Sequence, residues 1–447
     1  AAPRAGAGPP PMQLAPWPGG AARGRCALGA GAVPLRRRAP PALGIAPLAL
    51  PIAGAAAAFW AKADRRRARA RAARPCAGRD AQVQLTRRME RLEVLKGSAS
   101  AGVPFSEVEL DSAVSSMRLA AGESKDSLDW RALRAALQEA AHEPYKDWAK
   151  TGEAAAALGA AFLRPGSAEF RQVFQRVLRD GQWEQAADAS AQRAAGTKPW
   201  IVLVTGLNGI RKTTCMYQPW FRDVLREAME DHVDGLPSTE ELPDGNNSFF
   251  RQLDHIIATV ANEEFRTLYT VSDVDRYSAL KDGIFGRYRK IAEMWGMLLI
   301  SEARRQHLNV MVETSGRDVG MFHYIDHCFP DGSYRKLALH FEINDVSFAE
   351  RSVDERMLRE IEAGQRALAG TVDDIIKVNA GGPYGSKVLR GVQADSDRVW
   401  ETEVRAGRVA QAWYKASFSI TGQEAAEWTA RASSSPPGVG EHPILRV

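Results

Sequence analysis

The sequence predicts an α/β protein with a mostly parallel sheet, helices on both faces and a helical N-terminal region ahead of it. Three observations lead there. Short, nearly continuous apolar runs such as Ile201–Val204 and Asn309–Val312 suit strands covered on both faces. Longer segments with apolar residues at helical spacing alternate with those runs. The first run ends in a glycine-punctuated turn that leads into Lys212-Thr213-Thr214, as a strand feeding a helix does.

Residues 1–79 form the first division. They hold fourteen of the chain's 59 Lys/Arg and one of its 54 acids, Asp64. The remainder therefore carries 45 bases against 53 acids, and the net charge of +5 conceals a mildly acidic body. Such a body lacks the basic face that nucleic acid requires, so no nucleic-acid partner is expected. An Arg-rich, acid-poor leader suits an organelle presequence, which needs no core. Leu43–Trp60 is eighteen residues without a charge, flanked by Arg36-Arg37-Arg38 and by Lys62 with Arg65-Arg66-Arg67. Pro47, Pro51 and the weak hydrophobicity of alanine make this a marginal span, so a membrane anchor through 43–60 is the alternative. The order of hydrophobic then Arg-rich segment resembles the bipartite plastid leaders of some algae, which places plastid ahead of mitochondrion. Cys26, Cys76, Cys215 and Cys328 are widely spaced, form no metal-type pair and read as reduced thiols.

Residues 80–195 read as helical. Val83, Leu85, Met89, Leu92 and Leu95 recur on one face; Ser127-Leu128-Asp129-Trp130 opens a second helix; Phe170, Val173, Phe174, Val177 and Leu178 mark a third. No cluster of catalytic residue types falls here, and a helical layer is the expectation. Ala186–Thr197 reads as a linker into a core spanning 198–421.

In that core Trp200–Thr214 reads W-I-V-L-V-T-G-L-N-G-I-R-K-T-T. Strand, glycine loop, Lys, hydroxyl residue and helix make up a phosphate cradle: backbone N–H groups and a helix N-terminus face the anion, Lys212 reaches the outer phosphates and Thr213 binds Mg²⁺. Gly206, Asn208, Gly209, Arg211, Lys212, Thr213 and Thr214 are the candidate nucleotide-binding residues. Arg211 stands where the pattern has its last glycine, so its side chain must turn outward or add its charge to the phosphates. Pro219 interrupts the following helix, and Leu236–Asn247 reads as a loop.

Thr267–Val271 reads as a second strand, ending in Ser272-Asp273-Val274-Asp275. Carboxylates at the C-terminal ends of parallel strands sit where open sheets bind ligands, so one Asp can act as base and the other can hold Mg²⁺ through water. A helix N-cap is the competing role. A long helix, Ile284–His307, leads to the strand Asn309–Val312 and to Glu313-Thr314-Ser315-Gly316-Arg317, again an acid at a strand tip with an Arg beyond. Asp318 then caps a helix. Lys336–Ile343 reads as a fourth strand, Ser347–Arg359 as an Arg-bearing helix with Arg351 offset from Arg356 and Arg359, and Asp395–Tyr414 as a last amphipathic helix. Residues 422–447, rich in Ser, Pro and Gly, read as a disordered tail.

The order of these motifs over Lys198–Gln393 resembles the zeta-toxin family of P-loop kinases. That resemblance implies ATP and Mg²⁺ at Lys212 and Thr213, and it maps the Glu and Arg after the later strand onto Glu313 and Arg317; the strand-tip placement read above makes Asp273 and Glu313 the candidates for ordering the metal. The resemblance makes Asp275 the base on a substrate hydroxyl, and Arg317 and Arg351 the residues that neutralise the phosphates. The His-Pro that often follows the family's first acidic motif is absent, so the bacterial substrate, a UDP-amino sugar, gains no support. The resulting expectation is an ATP-dependent phosphotransferase acting on a hydroxyl of a small metabolite. The alternatives are an NTP hydrolase or switch, or a scaffold with a degenerate loop.

Overall fold

The computed structural model describes residues 82–95, 102–122, 126–210, 212, 221, 249–379, 381–420, 429–435 and 441–446. The leader 1–79 with its 43–60 segment, and Arg211, Thr213 and Thr214, lie outside the described residues.

Seven helices precede the first strand among the described residues: α1 (82–95), α2 (Glu107–Ala120), α3 (Trp130–Ala140), α4 (Trp148–Ala161), α5 (Ala168–Val173), α6 (Gln175–Asp180) and α7 (Trp183–Gln192). Local chemistry fixes their starts. Ser106 and Glu109 form a reciprocal capping box at α2, and the Asp129 carboxylate accepts from the backbone N–H groups of Arg131 and Ala132 at α3. The helix expected around Phe170–Leu178 breaks at Phe174, which ends α5 and opens α6. The stretch taken as a linker is helical through Gln192.

Strand β1 (Trp200–Gly206) is buried at every position, as its unbroken aliphatic run requires. Then come α8 (Phe249–Val260), α9 (Asn262–Leu268), α10 (Val274–Arg305), β2 (Val310–Glu313), α11 (Gly320–Cys328) and β3 (Arg335–Ile343). After these follow α12 (Val346–Ala367), α13 (Val372–Val378), α14 (Leu389–Val399), a π-helical turn over Trp400–Arg405, and strands β4 (Tyr414–Ile420), β5 (Thr429–Ser435) and β6 (Glu441–Arg446). The sheet order is β2-β1-β3-β4-β5-β6; the first four strands are parallel, and β5 and β6 add antiparallel. The α/β class and the parallel sheet core follow the sequence reading.

Three elements depart from it. Thr267–Val271 is not a strand: Thr267 and Leu268 end α9 and Tyr269 is its C-cap. Phe265 and Leu268, three apart, are both fully buried, and Gly364 of α12 closes on Tyr269 so tightly that a Cβ there would sit 2.3 Å from the ring. Packing of one helical face outweighs the strand preference of a short Thr-Leu-Tyr-Thr-Val run. Second, the last helix stops early and Tyr414–Ile420 is a strand, with Ala416, Phe418 and Ile420 buried and Ser419 exposed between them. Third, the segment expected to lack structure contributes β5 and β6, which cover the edge that β4 would otherwise present.

The helical layer and the sheet share one core. Trp295 of α10 meets Phe162 at 5.9 Å and Phe174 at 5.4 Å, both edge to face. Among the described residues no helix is long and apolar enough to cross a membrane.

Candidate functional site

A cavity of about 670 Å³ opens beside the tips of β1 and β2. Register decides what reaches it. Val204 of β1 pairs with Glu313 of β2, so the acid stands at the strand end next to the β1 turn. The two chains stay bonded past the ladder, Thr314 N donating to Val204 O (2.8 Å) and Gly206 N to Ser315 O (3.3 Å). The Ser396 hydroxyl of α14 donates to the same Ser315 carbonyl at 2.6 Å. Thr205, one residue before the turn, is held by His340 Nδ1 at 2.9 Å, and the His340 ring stacks on Trp400 at 4.8 Å.

Gly206 (φ +123°) and Gly209 (φ +87°) both need glycine, for a reason the motif did not give. A Cβ on Gly206 would meet the Phe341 carbonyl at 2.2 Å, and one on Gly209 would meet the Ala349 carbonyl of α12 at 2.5 Å. The turn is therefore wedged between β3 and α12.

Lys212 lies behind this turn, 3 % exposed. Its ammonium donates to the Gly206 and Leu207 carbonyls (2.8 and 3.0 Å) and stands 3.6 Å from the Glu313 carboxylate. Burial pulls its pKa below the ordinary lysine value, and Glu313 resists that pull.

Asn208, Glu313 and Arg317 line the cavity. The Arg317 guanidinium lies over the Tyr384 ring at 4.9 Å and donates to its hydroxyl at 2.9 Å. Asp318 accepts from Gly320 N at 2.7 Å and pairs with Lys146, but it is not the cap expected for α11, whose N-cap is Val319 with no side-chain cap bond.

Six of the expected site residues that the structure describes are not among those lining the cavity: Gly206, Gly209 and Lys212, which lie in or behind the turn, and Asp273, Asp275 and Arg351, which lie elsewhere. Asp273 is the N-cap of α10, its carboxylate accepting from Arg276 N at 2.7 Å. Asp275 is exposed on the first turn of α10 and ion-paired with Lys387 at 2.7 Å. Since the preceding segment is helical, neither stands at a strand tip. Arg351 points away on α12, 3.9 Å from Asp345, whereas Arg356, five residues on, lines the cavity. Five residues are about 500° of helical turn, so the two arginines face different ways.

The cavity also gathers residues that no motif marked. Asp254 and His255 come from α8, Asp282 and Arg289 from α10, and Tyr145 and Trp148 from the helical layer. Burial raises Asp254 to a pKa of about 6, with Arg289, Lys281 and Arg356 pulling it down and Glu360 adding to the rise. Burial lowers His255 to about 4, so it is neutral at pH 7. The polar stripe Arg251, Asp254, His255 at helical spacing along the mainly apolar α8 was the available signal, and a weak one.

Among the described residues no group of three or more His, Cys, Asp or Glu is arranged to hold a metal. Mg²⁺ asks for less: one or two carboxylates beside substrate phosphates suffice. Glu313 brings one carboxylate to the strand tip, whereas Asp273 has its carboxylate on a backbone N–H.

No known family model, curated protein or solved structure matches the chain.

Proposed function

We propose that the chain is an ATP-dependent phosphotransferase of the P-loop type, similar to zeta-toxin kinases, acting on a hydroxyl of a small metabolite. The observation that supports it best is the convergence of Gly206, Lys212 and Glu313 at the ends of two parallel strands, with Arg317 and Arg356 in the adjoining cavity. In open parallel sheets that edge is where phosphate ligands bind. Lys212 exchanges its two carbonyl partners for phosphate oxygens when nucleotide enters. Glu313 would hold the Mg²⁺ that accompanies ATP, and that ion would supply charge neutralisation of the phosphates. Arg317 and Arg356 steady the charge on the transferred group, and the cavity walls keep competing water from it. Asn208, Gly209 and the loop residues Arg211, Thr213 and Thr214 complete the nucleotide cradle in this reading. A plastid address through residues 1–79 accompanies it.

The test is nucleotide binding by the full chain. Calorimetry with ATP and Mg²⁺ is expected to give a single site that Lys212→Ala removes. Equal affinity in that variant refutes the site, and ADP release without any phosphorylated metabolite points to the hydrolase instead.

A further inference from the structure

If Asp275 is tied to Lys387 outside the cavity, the proposed reaction needs another proton acceptor. We infer that Asp254 of α8, which lines the cavity together with Glu313 and Arg317, is the general base. This inference rests on the phosphotransfer reading and deepens it.

The geometry comes from four elements. Asp254 of α8 lines the same cavity as Glu313 and Arg317. Gly381 lies between it and Arg356: a Cβ built on Gly381 would stand 3.9 Å from both the Asp254 carboxylate and the Arg356 guanidinium. The backbone there is fixed, because Asn379 donates to the Asp254 carbonyl at 3.1 Å. The positive neighbours are largely engaged elsewhere. Lys281 is bonded to Glu360 at 2.7 Å, a carboxylate that also accepts from the Tyr277 hydroxyl at 2.7 Å, and Arg289 pairs with Glu293 at 2.6 Å. Asp282, also at the cavity, is faced by Arg317.

Burial among these groups keeps the Asp254 proton affinity close to neutrality, at about 6, the range in which a carboxylate is both deprotonated and basic enough to matter at pH 7. The step balances simply. The acceptor oxygen forms a bond to the γ-phosphorus of ATP while the bond from that phosphorus to the β–γ bridging oxygen breaks. The hydroxyl proton passes to Asp254, and ADP leaves with the electron pair.

The experiment uses the full chain, with ATP and Mg²⁺ as probe and water standing in for the acceptor. Phosphate release is followed from pH 5 to 8, and ATP affinity by calorimetry. The wild-type rate is expected to rise to half its plateau near pH 6. Asp254→Asn is expected to cut the plateau about 100-fold and abolish the acid limb, with ATP affinity within about twofold, while Asp275→Asn keeps both. Wild-type turnover in Asp254→Asn, or a wild-type chain that binds ATP and releases no phosphate, overturns Asp254. Loss of ATP binding in the wild type overturns the phosphotransfer reading beneath it.

A second readout needs no turnover. A carboxyl raised from 3.8 to about 6 on folding binds its proton more tightly in the folded chain, so stability falls as pH climbs from about 4 to 6. Asp254→Asn is therefore expected to be the more stable protein above pH 6 and equal to the wild type below 4. A variant less stable at pH 8 would mean that the carboxylate holds structure, and would count against a base.

Discussion

Asp273-Val274-Asp275 and Glu313-Thr314-Ser315-Gly316-Arg317 look like equivalent motifs, each an acidic segment after an apolar run. The fold treats them differently. Glu313 ends a strand whose register with β1 sets it 3.6 Å from the buried Lys212 ammonium, and Arg317 continues into the cavity. Asp273 follows a helix and begins another, so its carboxylate satisfies a backbone N–H that α10 would otherwise leave open. The lesson concerns what precedes an acid. A strand delivers it to the sheet edge where its neighbours deliver theirs, whereas a helix start consumes it locally.

Three substitutions put that contrast at risk, in falling order of effect. Glu313→Gln removes the one strand-tip carboxylate beside Lys212, and turnover with ATP is expected to drop about 100-fold. Calorimetry should still register nucleotide, since the phosphate contacts proposed for Lys212 are left in place. Unchanged turnover would return Glu313 to a purely structural ion pair. Asp273→Ala should cost about 1 kcal/mol of folding stability through the lost cap, read from the urea midpoint, with turnover per folded molecule unaltered. A loss of turnover without a shift in midpoint would restore Asp273 to the site. Asp275→Asn is expected to do least. Its exposed pair with Lys387 is screened by water and salt, so neither midpoint nor turnover should move measurably.

Much of the sheet was readable because buried parallel strands leave little choice of residue: Ile201–Val204 announces itself by an unbroken aliphatic run, and Lys336–Ile343 by Leu337, Ala338, Leu339, Phe341 and Ile343 despite its three charged or polar residues. The strand tip at Glu313 was legible for the same reason. Thr267–Val271 misled because its β-branched ends carry strand preference, while the deciding fact, Gly364 pressed on the Tyr269 ring, lies 95 positions away. The β4 strand hid because Ser alternates with its core residues, which reads equally as loop. Asp254 could not be singled out: an acid on an amphipathic helix is ordinarily solvated, and only the crossing of α8 with α10 and the turn at Gly381–Tyr384 encloses it. The role of Arg356 over Arg351 likewise depends on the azimuth of α12, which the sequence narrows to two faces without choosing one.

The aromatic contacts of Trp295 with Phe162 and Phe174 have a consequence for how such a chain can change over generations. Tyr145 and Trp148, which wall one side of the cavity, descend from the same helical layer that keeps Trp295 dry. The shape of the cavity and the capacity to fold are thus written in one stretch of chain. Drift that reshapes the cavity there is constrained by the need to keep α10 packed, and the layer cannot be traded for another module as an appended regulatory piece can.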